Sequence, residues 1–294
     1  MNTLQKILGA VPLFLVALSL LNCRSTVTKS DDSGTEKPVI LVVSFGTSYN
    51  DSRKKTIGAI EEAVANAYPA YSVRRAFTSQ IVIDHIYQRD GEKIDNVTEA
   101  MNRLAADGVK DVIIQPTHLM NGIEEKEMVS QIKPFESKFR SIKYGKPVLS
   151  SDDDYTALIT ILKDGTKDYD NPDTAIVFMG HGTEDAANAD YARLADIFRE
   201  KGYSNYFIGT VEATPSLDDV IAQVRDAGLE KILLLPLMIV AGDHANNDMA
   251  GDEDDSWKSI LTAEGFSVKT LIRGLGEYPA LQDHIVQHVA DAMQ

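Results

Sequence analysis

His181, Glu212 and His244 stand 31 and 32 residues apart in the second half of a 294-residue chain. Each falls at or just beyond the C-terminal end of an expected β-strand. One strand with its following helix occupies about 30 residues, so this spacing returns successive strand ends to one edge of a sheet. In open α/β sheets that edge binds ligands. Two imidazoles and a carboxylate there form a His2Glu set for a first-row divalent cation, with positions left for water or substrate. The plainer alternative is three unrelated polar residues at loop starts.

The elements that must position these residues are short apolar runs alternating with helical patterns. The runs are Val39 to Val43, Val112 to Ile114, Ala175 to Met179 and Lys231 to Leu235. Continuous β-branched runs suit strands buried on both faces of a parallel sheet. Amphipathic segments at Ser52 to Ala67 and Ala189 to Lys201 predict helices, and the fold class is α/β with helices on both sides of the sheet. The chain also reads as two similar halves facing a central cleft. Phe45-Gly46-Thr47 parallels His181-Gly182-Thr183, and Val112 to Pro116 parallels Ile232 to Pro236, at offsets of 136 and 120. The second offset places Gly122 on Gly242 and Glu124 on His244, which points Glu124 across the cleft, where a carboxylate could accept protons or orient a substrate. A weaker match places Gln80 on Glu212. The halves span residues 37–170 and 171–294, joined near Asn171-Pro172.

Other chemistry-bearing residues read more plainly. Gly180 and Gly182 flank His181 and permit an unusual backbone or a close approach. Glu125 and Glu127 read as the solvated face of a helix, and His118 as a hydrogen-bonded structural residue beside the cleft. His284 and His288 have the i, i+4 spacing of a metal pair, but Leu281, Ile285 and Val289 claim the apolar stripe, which puts the pair on the helix flank at the surface. His85 has no companions. The acidic stretch from Ala245 to Trp257 reads as a solvated loop, with a cleft cover anchored by Trp257 as its alternative.

Composition narrows the function. Acids outnumber Lys and Arg by 44 to 29, and no basic run suggests a phosphate-binding face, which disfavours nucleic acid. A single cysteine, Cys23, rules out an intrachain disulfide and a multi-cysteine zinc site. Missing glycine-rich phosphate loops disfavour a nucleotide enzyme, the missing Gly-x-Ser-x-Gly disfavours the usual hydrolase nucleophiles, and the candidate residues demand no nucleotide or redox cofactor. At the N-terminus, Lys6 and the uncharged stretch from Ile7 to Leu21 have the build of a secretory signal over residues 1–22. Leu20-Leu21-Asn22-Cys23 resembles a lipoprotein box, with Asn departing from the usual small residue, so Cys23 is the expected lipidation site. Residues 23–36 read as a flexible tether, and the expected location is the periplasm or envelope.

From Lys37 onward the chain resembles the anaerobic sirohydrochlorin cobaltochelatases of the CbiK type. The resemblance rests on Val43-Ser44-Phe45-Gly46-Thr47-Ser48, His118-Leu119-Met120-Asn121-Gly122 with Glu124, Gly180-His181-Gly182-Thr183, Gly209-Thr210-Val211-Glu212, and Ala241-Gly242-Asp243-His244-Ala245 running on to Asp255-Ser256-Trp257. It implies a two-domain chelatase fold with a tetrapyrrole between the halves, lined by Phe45, Gly46, Thr47 and Gly182, and a place in cobalamin or tetrapyrrole biosynthesis. It implies that His181 and His244 bind metal and assist catalysis, that Glu212 completes the metal set, and that Glu124 falls on a catalytic acidic position. Co2+ is then a substrate, with Fe2+ or Ni2+ also compatible with the donor set. Arg53 and Lys54 are candidates for receiving substrate carboxylates, or else solvated surface cations. The partners are the tetrapyrrole and the metal ion, and a homo-oligomer is left open. The export signal departs from the cytoplasmic role usual in the family. It sets a second reading beside the enzyme, a non-catalytic envelope protein that binds metal or tetrapyrrole on the same fold.

Overall fold

In the computed structural model, residues 37–294 are described. The expected signal, tether and Cys23 lie outside them. The first sheet holds β1 (Val39–Ser44), β2 (Ser72–Phe77), β3 (Asp111–Pro116) and β4 (Ser141–Tyr144) in the order β2-β1-β3-β4. The second holds β5 (Thr174–Gly180), β6 (Tyr206–Thr210), β7 (Lys231–Pro236) and β8 (Ser267–Thr270) in the order β6-β5-β7-β8. All pairings are parallel. The two orders are the same topology, so the repeated motifs do mark a duplicated α/β architecture.

The helices are α1 (Asn50–Arg53), α2 (Ala59–Ala67), α3 (Gln80–Asp90), α4 (Val97–Ala106), α5 (Ile123–Ile132), α6 (Asp152–Thr166), α7 (Ala189–Glu200), α8 (Leu217–Asp226), α9 (Trp257–Ala263) and α10 (Pro279–Met293). A π-helical turn over Lys54–Gly58 joins α1 to α2, so the helix expected from Ser52 to Ala67 is one helical run with a bulge inside it.

Strand periodicity explains how the layers assemble. Side chains alternate across a strand. Ile40 and Val42 of β1 and Ile176 and Phe178 of β5 therefore enter one shared core, with residues of α6, α7 and α10. Their neighbours Val39, Leu41 and Val43 face a second core under α4 and α5, while Ala175, Val177 and Met179 face a third under α8 and α9. Both faces of each central strand are dry, which is why neither strand alternates in polarity.

The C-terminal helix α10 returns to the first half. It packs on α2 and β3, and Tyr68 Oη donates to the Val286 carbonyl at 2.8 Å. Its apolar stripe, Leu281, Ile285 and Val289, lies in the shared core. This docking overturns the surface reading of the neighbouring histidines: His288 is 4% exposed and paired with buried Asp154 of α6. An i, i+4 pair on a helix clamped between α2 and α6 cannot remain solvated.

Candidate metal and macrocycle site

Loops leaving the C-terminal edges of the two sheets enclose a cleft of about 280 Å³. From the first half come Phe45, Gly46 and Thr47 after β1, and His118 to Met120 with Glu124 after β3. From the second come His181, Gly182 and Tyr191 around β5, and Leu237 to Val240 with Gly242 and His244 after β7.

The strand ladder continues beyond the sheet and fixes the candidate metal set. Past the end of β6, the Val211 and Glu212 amides donate to the Gly180 and His181 carbonyls at 3.0 and 2.9 Å. This ties Glu212 to His181 by backbone alone. His181 Nε2 then lies 3.7 Å from Glu212 Oε1, and the His181 and His244 rings meet edge to face with centroids 4.7 Å apart. Ligand atoms of His181, Glu212 and His244 all fall within 4.8 Å of one another. The three residues spaced across 63 positions of sequence are thus one cluster.

The other ring nitrogens decide which face is free. His181 Nδ1 lies 2.7 Å from the Gly182 carbonyl, which can only accept, so this nitrogen carries the proton. His244 Nδ1 donates to Asp248 Oδ2 at 2.6 Å. Each ring in its neutral form therefore turns an unprotonated Nε2 toward the cluster. Carbonyl or carboxylate support of the remote nitrogen is the usual arrangement behind a metal-ligating histidine. Asp248 reaches His244 because the helical turn over Ala245–Met249 puts residue i+4 on the same face. The acidic stretch is consequently mixed: Asp248 supports the site, Trp257 is buried in the outer core, and Asp252 to Asp255 are exposed.

The glycines around His181 are required by geometry. Gly182 has φ +87°, and a Cβ there would come 2.8 Å from the Ala213 amide nitrogen. A Cβ on Gly180 would strike the Tyr191 ring at 2.2 Å. Tyr191 itself carried no signal in sequence, being one of several aromatic residues on a helix. Its hydroxyl accepts from the Gly182 amide at 3.4 Å, and burial raises its phenol above the ordinary 10, with the Glu124 carboxylate adding to the shift.

Across the cleft, Glu124 stands in the first turn of α5, half-buried. The Lys126 amide donates to the Gly122 carbonyl at 3.2 Å, as the Asn246 amide does to the Gly242 carbonyl at 3.1 Å. The backbone therefore makes Glu124 the positional counterpart of His244. The weaker match shifts by one residue: Ser79 donates to the Phe45 carbonyl where Glu212 donates to that of His181. Gln80 instead bonds Asp84 and Asn96 at the surface.

Two further expectations change. Glu125 is buried at 7% exposure and holds His118 Nδ1 at 3.0 Å, so it is not part of a solvated face. His118 lines the cleft, and its Nε2 is buried without a partner. Arg53 is also buried; its guanidinium donates to the Thr47 carbonyl at 3.3 Å and to Glu92 at 2.7 Å. It braces the Phe45–Thr47 loop, and a side chain so committed is neither a solvated cation nor a free carboxylate receptor.

The profile of the cobalt chelatase (CbiK) family matches residues 38–294. The sirohydrochlorin cobaltochelatase of Salmonella typhimurium is 40% identical over 257 residues, covering 87% of this chain and 97% of that protein. A sirohydrochlorin cobaltochelatase of Nitratidesulfovibrio vulgaris is 31% identical over 263 residues, covering 87% and 91%. Among solved structures, SirB from Bacillus subtilis with Fe3+ superposes with a TM-score of 0.60 at 16% identity, over 87% of this chain and 96% of that one. CbiX, a siroheme-biosynthesis enzyme, superposes with a TM-score of 0.53 at 15% identity, over 87% and 100%. These two likenesses concern the fold. Matched over nearly all its described length, the chain belongs to the cobalt chelatase (CbiK) family.

Proposed function

We propose that the protein inserts Co2+ into sirohydrochlorin, with His181, Glu212 and His244 as the metal-delivering set and Glu124 as a proton acceptor on the opposite wall. The observation that carries this reading is the pair of free Nε2 faces converging with Glu212 at an edge of the cleft between the halves. Insertion exchanges two pyrrole N–H protons for one divalent cation. The cation must be held while its waters leave, then released to the ring. Neutral imidazoles suit that task because they bind first-row ions without adding negative charge that would retain them. Glu124 then removes a proton from the ring, and His118, with its unpartnered Nε2, offers a second acceptor on the same wall.

The cleft volume of about 280 Å³ lies just under the range of about 300–1,000 Å³ usual for small-molecule sites. In this reading a macrocycle enters with its centre toward the histidines and its acid-bearing periphery at the mouth. Phe45, half exposed at the rim, supplies an apolar face for the ring. Fe2+ and Ni2+ fit the same nitrogen and oxygen donors and are competing metal substrates. The proposed setting is the periplasm or envelope, on the sequence of residues 1–23. That sequence also favours the second reading, a binding protein without turnover.

Purified protein mixed with sirohydrochlorin and Co2+, followed by the absorption change of metallation, separates the two. Insertion faster than the protein-free rate is expected, with the gain abolished by His181→Ala or His244→Ala. A rate equal to that without protein would leave only the binding reading.

A further inference from the structure

Asp154, His284 and His288 form a second cluster whose ligand atoms lie within 4.8 Å of one another, and none of the three lines the cleft. His288 Nε2 stands 3.0 Å and His284 Nε2 3.1 Å from the same oxygen, Asp154 Oδ1. The other carboxylate oxygen is committed to the Ser150 amide at 3.0 Å and the Ser151 hydroxyl at 2.8 Å, which fixes the carboxylate's direction. His288 Nδ1 donates to the Lys146 carbonyl at 3.0 Å. A neutral His288 therefore turns a lone pair, with no proton on it, at a carboxylate oxygen. His284 Nε2 faces two acceptors, Asp154 Oδ1 and the Val148 carbonyl at 3.3 Å, and one proton cannot serve both well. Acceptors converging in a buried place need a donor or a cation among them.

We propose that Asp154, His284 and His288 bind a divalent cation of the Zn2+ class, with the Val148 carbonyl or a water completing four-coordination. The donor set is nitrogen and carboxylate oxygen, as that ion prefers, and the two histidines are i, i+4 on α10. The Lys146 carbonyl on His288 Nδ1 is the outer support typical of a ligating imidazole.

The position gives the ion a structural role. Asp154 belongs to the first turn of α6 and the histidines to α10, while residues 148 and 149 pair with the loop after β3. There the Val148 and Leu149 amides donate to the His118 and Leu119 carbonyls at 3.0 and 2.8 Å. One ion would pin the returning C-terminal helix to the segment that backs the cleft wall.

The test uses the full chain with His181→Ala and His244→Ala, which removes the cleft set and keeps failure of the second site distinct from failure of the chelatase reading. After chelator treatment and dialysis against Zn2+, metal content should be one equivalent, and Zn2+ should raise the thermal midpoint. Adding His284→Gln, which leaves the Asp154–His288 pair in place, should weaken Zn2+ binding by about 100-fold or more and remove the thermal response. A folded double variant that retains no Zn2+, or one whose binding is unaffected by His284→Gln, would overturn the proposal and leave a hydrogen-bonded imidazolium–carboxylate cluster.

Discussion

A histidine offers a metal its Nε2 lone pair only while Nδ1 keeps the proton, and the residues that enforce this are as consequential as the ligands. Gly182 does so for His181 through its carbonyl, and Asp248 does so for His244 through a charged oxygen at 2.6 Å. Asp248→Ala should therefore weaken Co2+ binding by about 10–100-fold with the fold intact. Competition with a chromophoric chelator measures this, and unchanged affinity would show that His244 is oriented by packing alone. His181, Glu212 and His244 were legible as a spacing, whereas Asp248 was hidden in a run of acids. The sequence carries its i+4 offset, but only knowing that Ala245 to Met249 is helical makes that offset meaningful.

At the scale of elements, the site depends on how strands end. The β5–β6 ladder runs on to pair Glu212 with His181, and the left-handed Gly182 lets the chain turn away immediately after His181. Gly182→Ala adds a Cβ to φ +87° and 2.8 Å from a backbone nitrogen. A stability loss of about 1–3 kcal/mol is expected from the backbone conformation, together with slower insertion as the Glu212 loop shifts. Denaturant unfolding and the metallation assay on one variant check both. The central strands β1, β3, β5 and β7 were legible because burial on both faces leaves uninterrupted apolar runs. The flanking β4 and β8 were not: Ser-Ile-Lys-Tyr and Ser-Val-Lys-Thr are short and only partly covered, and their pairing comes from the neighbouring strand.

For the whole molecule, the two halves act as one unit because their inner faces share a core and α10 is exchanged to the first half. Polar groups reinforce the join. Burial alone would raise the Asp170 carboxyl, but Asn205 and the Lys163 ammonium hold it below its ordinary 3.8. A depressed folded-state value means that the unfolded chain binds the proton more readily. The contribution of Asp170 is therefore complete above about pH 3.8 and is lost as pH falls below it. Thermal midpoints recorded from pH 6 to pH 3 should decline at the acid end, and Asp170→Asn should flatten that decline. An identical acid decline in the variant would assign acid sensitivity to other carboxylates.

The sequence by itself determined the α/β class and the duplicated topology and pointed to the cluster of His181, Glu212 and His244, because each rests on local patterning or on the length of a strand-helix unit. It could not determine which polar residues are buried. His284 and His288 read as surface residues until α10 was seen clamped beside α6, Glu125 read as solvated until His118 was found beneath it, and Arg53 read as a free cation until Glu92 and the Thr47 carbonyl enclosed it. In each case the partner comes from a different loop or element. Burial of a polar side chain is a property of that assembly, and only the tertiary structure decides it.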